Sequence, residues 1–207
     1  MAEAAVPALT HGRKIAFTVG DYACNLYWQS VSIFLLFFYT DVVGLSAAVA
    51  GAIYMIASIF DGLIDPVMGI VADRTRTRWG RYRPYLILGA VPLGLSFVLL
   101  YYKPPLDGWL LAAFVLGTHL LFRLCYTIVS IPYTSLNARL THSSMERSTL
   151  AGYRMVFAMV AGLTVSLATQ PIVAAAGQGA ADRGFLIAAV VFATVATMIF
   201  PVVFLTT

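Results

Sequence analysis

No charged residue interrupts the chain from Met155 to Ala181 or from Gly184 to Thr207, and the stretch from Tyr85 to Tyr102 is equally free of charge. A helix needs roughly 20 apolar residues to cross about 30 Å of hydrocarbon. Backbone placed in lipid must satisfy its own hydrogen bonds, which leaves helices and closed barrels as the options. Barrel strands are about half as long and alternate in polarity. These runs are continuous, so they predict helices. Composition agrees: 60% of the residues are apolar and 11% are charged, against about 25% charged in a soluble domain. The chain therefore reads as an all-α integral membrane protein. It is expected to form one bundle over 1–207, with six membrane spans at about 15–40, 45–72, 84–102, 108–137, 147–176 and 183–206. The opening segment, MAEAAVPALTHGRK, has no apolar core ahead of Arg13 and Lys14 and does not read as a cleaved signal peptide.

The breaks between runs carry the charge. One set of breaks would hold Arg13, Lys14, Arg74, Arg76, Arg78, Arg81, Arg83, Arg139, Arg147 and Arg154, and the other only Lys103 and Arg183. Positive loops stay cytoplasmic, so both termini are expected in the cytoplasm. The net charge of +4 is explained by those loops and gives no argument for nucleic acid. Cys24 and Cys125 both fall within expected spans, which excludes a disulfide framework and a paired-cysteine metal site.

Within the runs, a few polar residues stand out. Asp61 and Asp65 lie four apart in IFDGLIDPVMGI, on one face of a helix. Asp61 comes about 16 residues into the second span, ~24 Å along its helix. A charge at that depth costs at least about 2.5 kcal/mol on insertion scales. Pro66 has no N–H, so the carbonyl of Gly62 loses its helical donor. Two carboxylates beside a freed carbonyl suit Na⁺ or H⁺, which makes Asp61 and Asp65 candidate cation ligands. The alternative is a structural pair neutralised by protonation or by Arg123.

Arg123 sits near the centre of the fourth span, at a similar depth, either in an internal ion pair or against solute. Tyr126, Thr127 and Ser130 follow it; the two hydroxyls share a face and could bind a polyol or a cation, or bond back to their own helix. In the first span Asp21 and Asn25 are four apart, with Tyr22, Tyr27 and Trp28 beside them. Amide, carboxylate and aromatic groups together suit a sugar, although aromatics in membrane helices also serve as packing and interface anchors. His119 reads as a hydrogen-bonded packing residue. No Walker, HExxH or GxSxG motif is present, so nothing argues for an enzyme or a cofactor.

Three segments, GDYACNLYWQSVSIFLLFFYTDVVGLS, DGLIDPVMGIVADRTRTRWGRYRPYL and YTIVSIPYTSLNARLT, resemble the glycoside–pentoside–hexuronide:cation symporters. These form the melibiose-permease-like branch of the major facilitator superfamily. The resemblance runs from about Gly20 to Arg183. It implies a fold of one major-facilitator half and cation-coupled uptake of a sugar or glycoside across a cell membrane, in bacteria the inner membrane. It implies that Asp61, Asp65 and Thr127 hold the coupling ion. Asn25 and Ser130 fall where the melibiose permease has sugar-binding aspartates, and Arg154 matches an arginine near the sugar pocket. Gly69, Asp73 and Arg74 resemble the superfamily's GxxxDR loop, a cytoplasmic latch, to which the basic loop containing Arg81 would contribute by pairing with acids or anionic lipid. Asn25, Ser130 and Thr134 depart from the pattern, and leave the ion site better matched than the sugar site. Members of the family have twelve spans. The chain is therefore expected to be an N-terminal half, or a half-size protein pairing with a second copy of itself. The competing expectation is a membrane sensor or assembly partner that keeps the fold without transporting.

Overall fold

A computed structural model of the chain describes residues 11–139 and 143–206. Residues 1–10, 140–142 and 207 of the expected bundle lie outside the described residues, as do the side chains of Arg13 and Arg139. The protein is an all-helical bundle: α1 (His11–Ser30), α2 (Ala47–Arg74), α3 (Arg83–Leu100), α4 (Gly108–Arg139), α5 (Ser144–Ala176) and α6 (Ala181–Thr206). Helices α2 to α6 are each long and apolar enough to cross a membrane. The first rod is more polar, and it does not stay α-helical. After Ser30 it continues through two π-helical turns, Val31–Leu35 and Phe38–Val43. The sequence led us to expect one plain helix there. Two tyrosines from other elements bind carbonyls at the first α-to-π junction: Tyr101 Oη donates to the Ser30 carbonyl at 2.9 Å and Tyr54 Oη to the Val31 carbonyl at 2.8 Å. Long-range hydroxyls thus satisfy carbonyls where the helical ladder changes pitch.

Local chemistry sets the ends. Gly44, at φ +92°, closes the first rod in a left-handed turn that a side chain would strain. Ser46 caps α2, accepting from the Val49 N–H at 3.4 Å. Pro84 opens α3, and Ser143 caps α5 by accepting from Glu146. Pro66, Pro92, Pro132, Pro171 and Pro201 all sit inside helices that continue past them, as membrane helices with packed neighbours permit.

Packing follows a regular plan. α1 lies against α5 and α6, α4 lies against α2 and α3, and α3 packs on α6. Exchanging the first three helices for the last three reproduces most of these contacts, the pattern of a 3+3 repeat within a six-helix unit. The α5–α6 contact is the exception; among the described residues it has no counterpart of similar extent between α2 and α3. Close approach depends on small residues. A Cβ on Gly89 would meet Val129 Cγ2 at 2.5 Å, and one on Gly94 would meet Thr197 Oγ1 at 2.9 Å. The core is aromatic, with Tyr27, Phe38, Phe97, Tyr101 and Phe122 all fully buried.

Candidate cation and solute site

The α2–α4 contact brings together the polar residues that stood out in the second and fourth runs. Asp61 and Asp65 lie one turn apart on α2, facing α4. From α4, Arg123 Nη1 donates to Asp61 Oδ2 at 2.7 Å. One turn further on, the Thr127 hydroxyl lies 2.8 Å from Asp65 Oδ1 and 3.3 Å from Asp61 Oδ1. A hydroxyl has a single hydrogen, so its favoured acceptor is Asp65. The Arg123 side chain is 4% exposed and that of Asp61 18%. Arg123 has two further neighbours. Its Nε donates to His119 Nε2 at 3.4 Å, and its guanidinium carbon lies 5.0 Å from the centre of the Trp28 ring. Trp28 in turn lies 5.6 Å from Tyr126.

These groups border a cavity of about 270 Å³ lined by Trp28, Asp61, Asp65, Tyr126, Thr127 and Ser130. Among the described residues no three His, Cys, Asp or Glu side chains cluster as a metal site would require. The donor set is therefore two carboxylates, a threonine hydroxyl and any carbonyl freed by Pro66. Such hard oxygens suit an alkali cation or a proton.

The remaining expected site residues lie elsewhere. The lining of this cavity does not include Asp21, Asn25 or Arg154. The Asn25 amide donates to the Asp21 carbonyl at 2.8 Å, a bond within its own helix. Asp21 and Arg154 meet each other across the α1–α5 contact. Arg154 Nε lies 2.9 Å from both Asp21 oxygens, and Tyr133 Oη donates to Asp21 Oδ2 at 2.7 Å. Tyr133 also stacks on Phe17, with ring centres 4.9 Å apart. Lys14 and Glu146 pair at 3.3 Å between the same two helices.

In the loop between α2 and α3, Tyr82 Oη donates to Asp73 Oδ1. Arg74 and Arg81 are exposed, and Arg81 lines a basic cleft with Arg78, Trp79 and Arg83.

His119 is the hydrogen-bonded packing residue that the sequence predicts, and it packs at this site. Its ring packs edge-on against Tyr54 and Tyr39 while accepting from Arg123. His119 and Arg123 are four apart on one helix face.

The bundle thus sets a carboxylate pair beside a polar cavity, among helices of which five are long and apolar enough to cross a membrane. The family model described as MFS/sugar transport protein matches residues 16–207, and the chain belongs to that family. It is 36% identical over 94% of its length to the inner membrane symporter YicJ of Escherichia coli K12, covering 42% of that protein. It is 35% identical over 94% of its length to the isoprimeverose transporter of Lactiplantibacillus pentosus, covering 41%. It is 41% identical over 74% of its length to the uncharacterized symporter YnaJ of Bacillus subtilis, covering 33%. The chain thus spans less than half the length of these relatives. It is a multi-pass membrane protein, and its relatives include proteins named as symporters.

Proposed function

We propose that the chain forms one six-helix bundle of a cation-coupled symporter for a sugar or glycoside-like solute. It would sit in a bacterial inner membrane with both ends cytoplasmic. The relatives named as symporters support the activity. The observation that carries the mechanism is the Asp61–Asp65–Thr127 cluster, which opens onto a cavity walled by Trp28, Tyr126 and Ser130. Ring faces at Trp28 and Tyr126 suit the C–H surface of a sugar, and the Ser130 hydroxyl suits its polar edge.

Two ionised carboxylates facing a cavity at mid-membrane repel each other and resist desolvation. Empty, they disfavour any state that closes the cavity. One Na⁺ or one proton lowers the net charge by one and makes the closed, loaded state accessible. Coupling is then reciprocal: if the cation strengthens solute binding, solute strengthens cation binding by the same factor. Solute contacts fall to Trp28, Tyr126 and Ser130. Asp21 and Arg154 brace α1 against α5. Asp73, Arg74 and Arg81 form a latch on the cytoplasmic side. A second six-helix bundle, from the same polypeptide or from a second copy, completes the pathway.

The test is Asp65→Asn in the intact gene product, assayed by uptake of labelled glycosides into cells. Asp65 is the cleaner choice, because Asp61→Asn would also strand Arg123. Cation-driven accumulation should disappear while solute exchange persists. Unchanged accumulation driven by both Na⁺ and H⁺ gradients would show that the pair is structural.

A further inference from the structure

A cation site built from two acids and a hydroxyl has no need of a resident arginine, yet Arg123 occupies one oxygen of Asp61 at 2.7 Å. The geometry points to Arg123 as a tethered cation that competes with the coupling ion for Asp61. This inference rests on the symport reading above.

The charge balance comes first. Asp61 and Asp65 contribute −2 and Arg123 +1, so the cluster carries −1 when all three are ionised. One monovalent cation brings it to zero, whereas a divalent ion or a second monovalent ion would leave an uncompensated positive charge in a desolvated site. The cluster therefore selects a single monovalent ion. That ion belongs on the Asp65–Thr127 side, where the oxygens Asp61 Oδ1, Asp65 Oδ1 and Thr127 Oγ1 converge, rather than at the Asp61 Oδ2 that Arg123 holds.

A competitor also needs somewhere to go. Arg123 already touches two groups that can hold it away from Asp61. His119 Nε2 accepts from its Nε at 3.4 Å, and the Trp28 face lies 5.0 Å from its guanidinium carbon. Arginine is always a donor, so this contact fixes His119 as the neutral tautomer with its proton on Nδ1. Nδ1 is buried without a partner. The imidazole thus leaves its own donor unsatisfied while its acceptor faces Arg123. A neutral acceptor and an aromatic face hold a guanidinium without neutralising it. The guanidinium can slide from the carboxylate to this pocket as the ion arrives, and return as the ion leaves. His119 and Trp28 are in this sense positioning residues for Arg123.

The sign of one measurement separates competition from scaffolding. Na⁺ and Li⁺ binding to the purified intact protein is titrated calorimetrically at alkaline pH, for the unaltered protein and for Arg123→Gln, Arg123→Lys and Asp65→Asn. Competition predicts that Arg123→Gln tightens ion binding at least tenfold, while Arg123→Lys, which keeps a charge, stays close to the unaltered protein. If Arg123 only props the site open, Arg123→Gln weakens binding, and that result, or no change, overturns the inference. Ion binding that is lost in Asp65→Asn but unaffected by Arg123→Gln overturns competition alone. No Na⁺ or Li⁺ binding by any of the four proteins overturns the inference, and the symport reading falls with it only when proton-driven glycoside accumulation is absent as well. Should Arg123→Gln fail to fold, Trp28 provides a reporter on the native site, with Trp79, Trp109 and every tryptophan outside residues 1–207 replaced by phenylalanine. A saturable change in Trp28 emission on adding Na⁺ is expected as the guanidinium shifts, and unaltered emission at saturating ion overturns the inference.

Discussion

Removing the Asp21 charge tests whether that residue braces the bundle or serves the solute. Asp21→Asn keeps the shape and one acceptor but loses the charge facing Arg154. Breaking a fully buried ion pair costs about 3–5 kcal/mol. Here the Asp21 side chain is 8% exposed and that of Arg154 27%, so water recovers part of the loss for the arginine. Tyr133 keeps its hydrogen bond to the remaining oxygen. An estimate of about 2–3 kcal/mol follows, at the level expected for losing a charge-assisted hydrogen bond. Arg154→Met should cost a similar amount, since it leaves Asp21 buried with Tyr133 as its remaining side-chain partner. The double variant removes both charges together, so its cost should fall short of the sum by about 2 kcal/mol. Denaturation by sodium dodecyl sulfate in mixed micelles, followed by circular dichroism, measures all four proteins. A coupling energy below about 0.5 kcal/mol, within the range of simple additivity, would refute the brace. Glycoside binding lost in either single variant while stability stays unchanged would return both residues to the solute site.

Two further outcomes are expected. Gly89→Ala places a methyl 2.5 Å from Val129 Cγ2, so α3 and α4 must separate, lowering stability by about 1–3 kcal/mol in the same denaturation assay; an unchanged midpoint would show that the helices do not pack there. A cysteine at Gly179 should react with an impermeant maleimide added outside intact cells and one at Thr77 should not, since the arginine-rich loop is placed in the cytoplasm; the reverse pattern would invert the topology.

The parts of the site legible in the sequence share one property: each is a pair at helical spacing within an apolar run. Asp61 with Asp65, Thr127 with Ser130, and the depth of Arg123 all follow from counting along a helix. His119 with Arg123 has the same spacing, and reads as the hydrogen-bonded packing residue it is, although spacing alone does not say that its partner is Arg123. The Asp21–Arg154 contact joins residues on α1 and α5 that no local pattern links, and it was visible only once those helices packed. Depth and spacing from Asp21, together with the family match, suggest Asn25 for the cavity, but its amide donates to the Asp21 carbonyl of its own helix, which spacing alone does not distinguish. The π-helical turns were illegible for a related reason. VSIFLLFFYTDVV contains no proline or glycine to mark them, and the hydroxyls that bind the junction carbonyls belong to Tyr54 and Tyr101, on other elements.

The 3+3 repeat relates the two ion pairs. Exchanging α1 for α4 and α2 for α5 carries the α1–α5 contact onto the α4–α2 contact, and each contact holds one acid–base pair, Asp21 with Arg154 and Arg123 with Asp61. The brace between α1 and α5 is closed: both Asp21 oxygens are engaged, four residues beyond Asp21 stands Asn25, bonded to its own helix, and four beyond Arg154 stands Ala158. In the pair between α2 and α4 the corresponding positions are Thr127 and Asp65. The substitution of an acid for Ala158 and a hydroxyl for Asn25 turns a structural tie into a site with more acceptors than internal donors. That surplus is tolerable only where something else meets it. Asp65 is half-buried and borders a cavity open at the flank of the bundle, and acyl chains offer a carboxylate neither a hydrogen bond nor a charge. The carboxylate edge of the α2–α4 contact must therefore face water, an ion or protein rather than acyl chains.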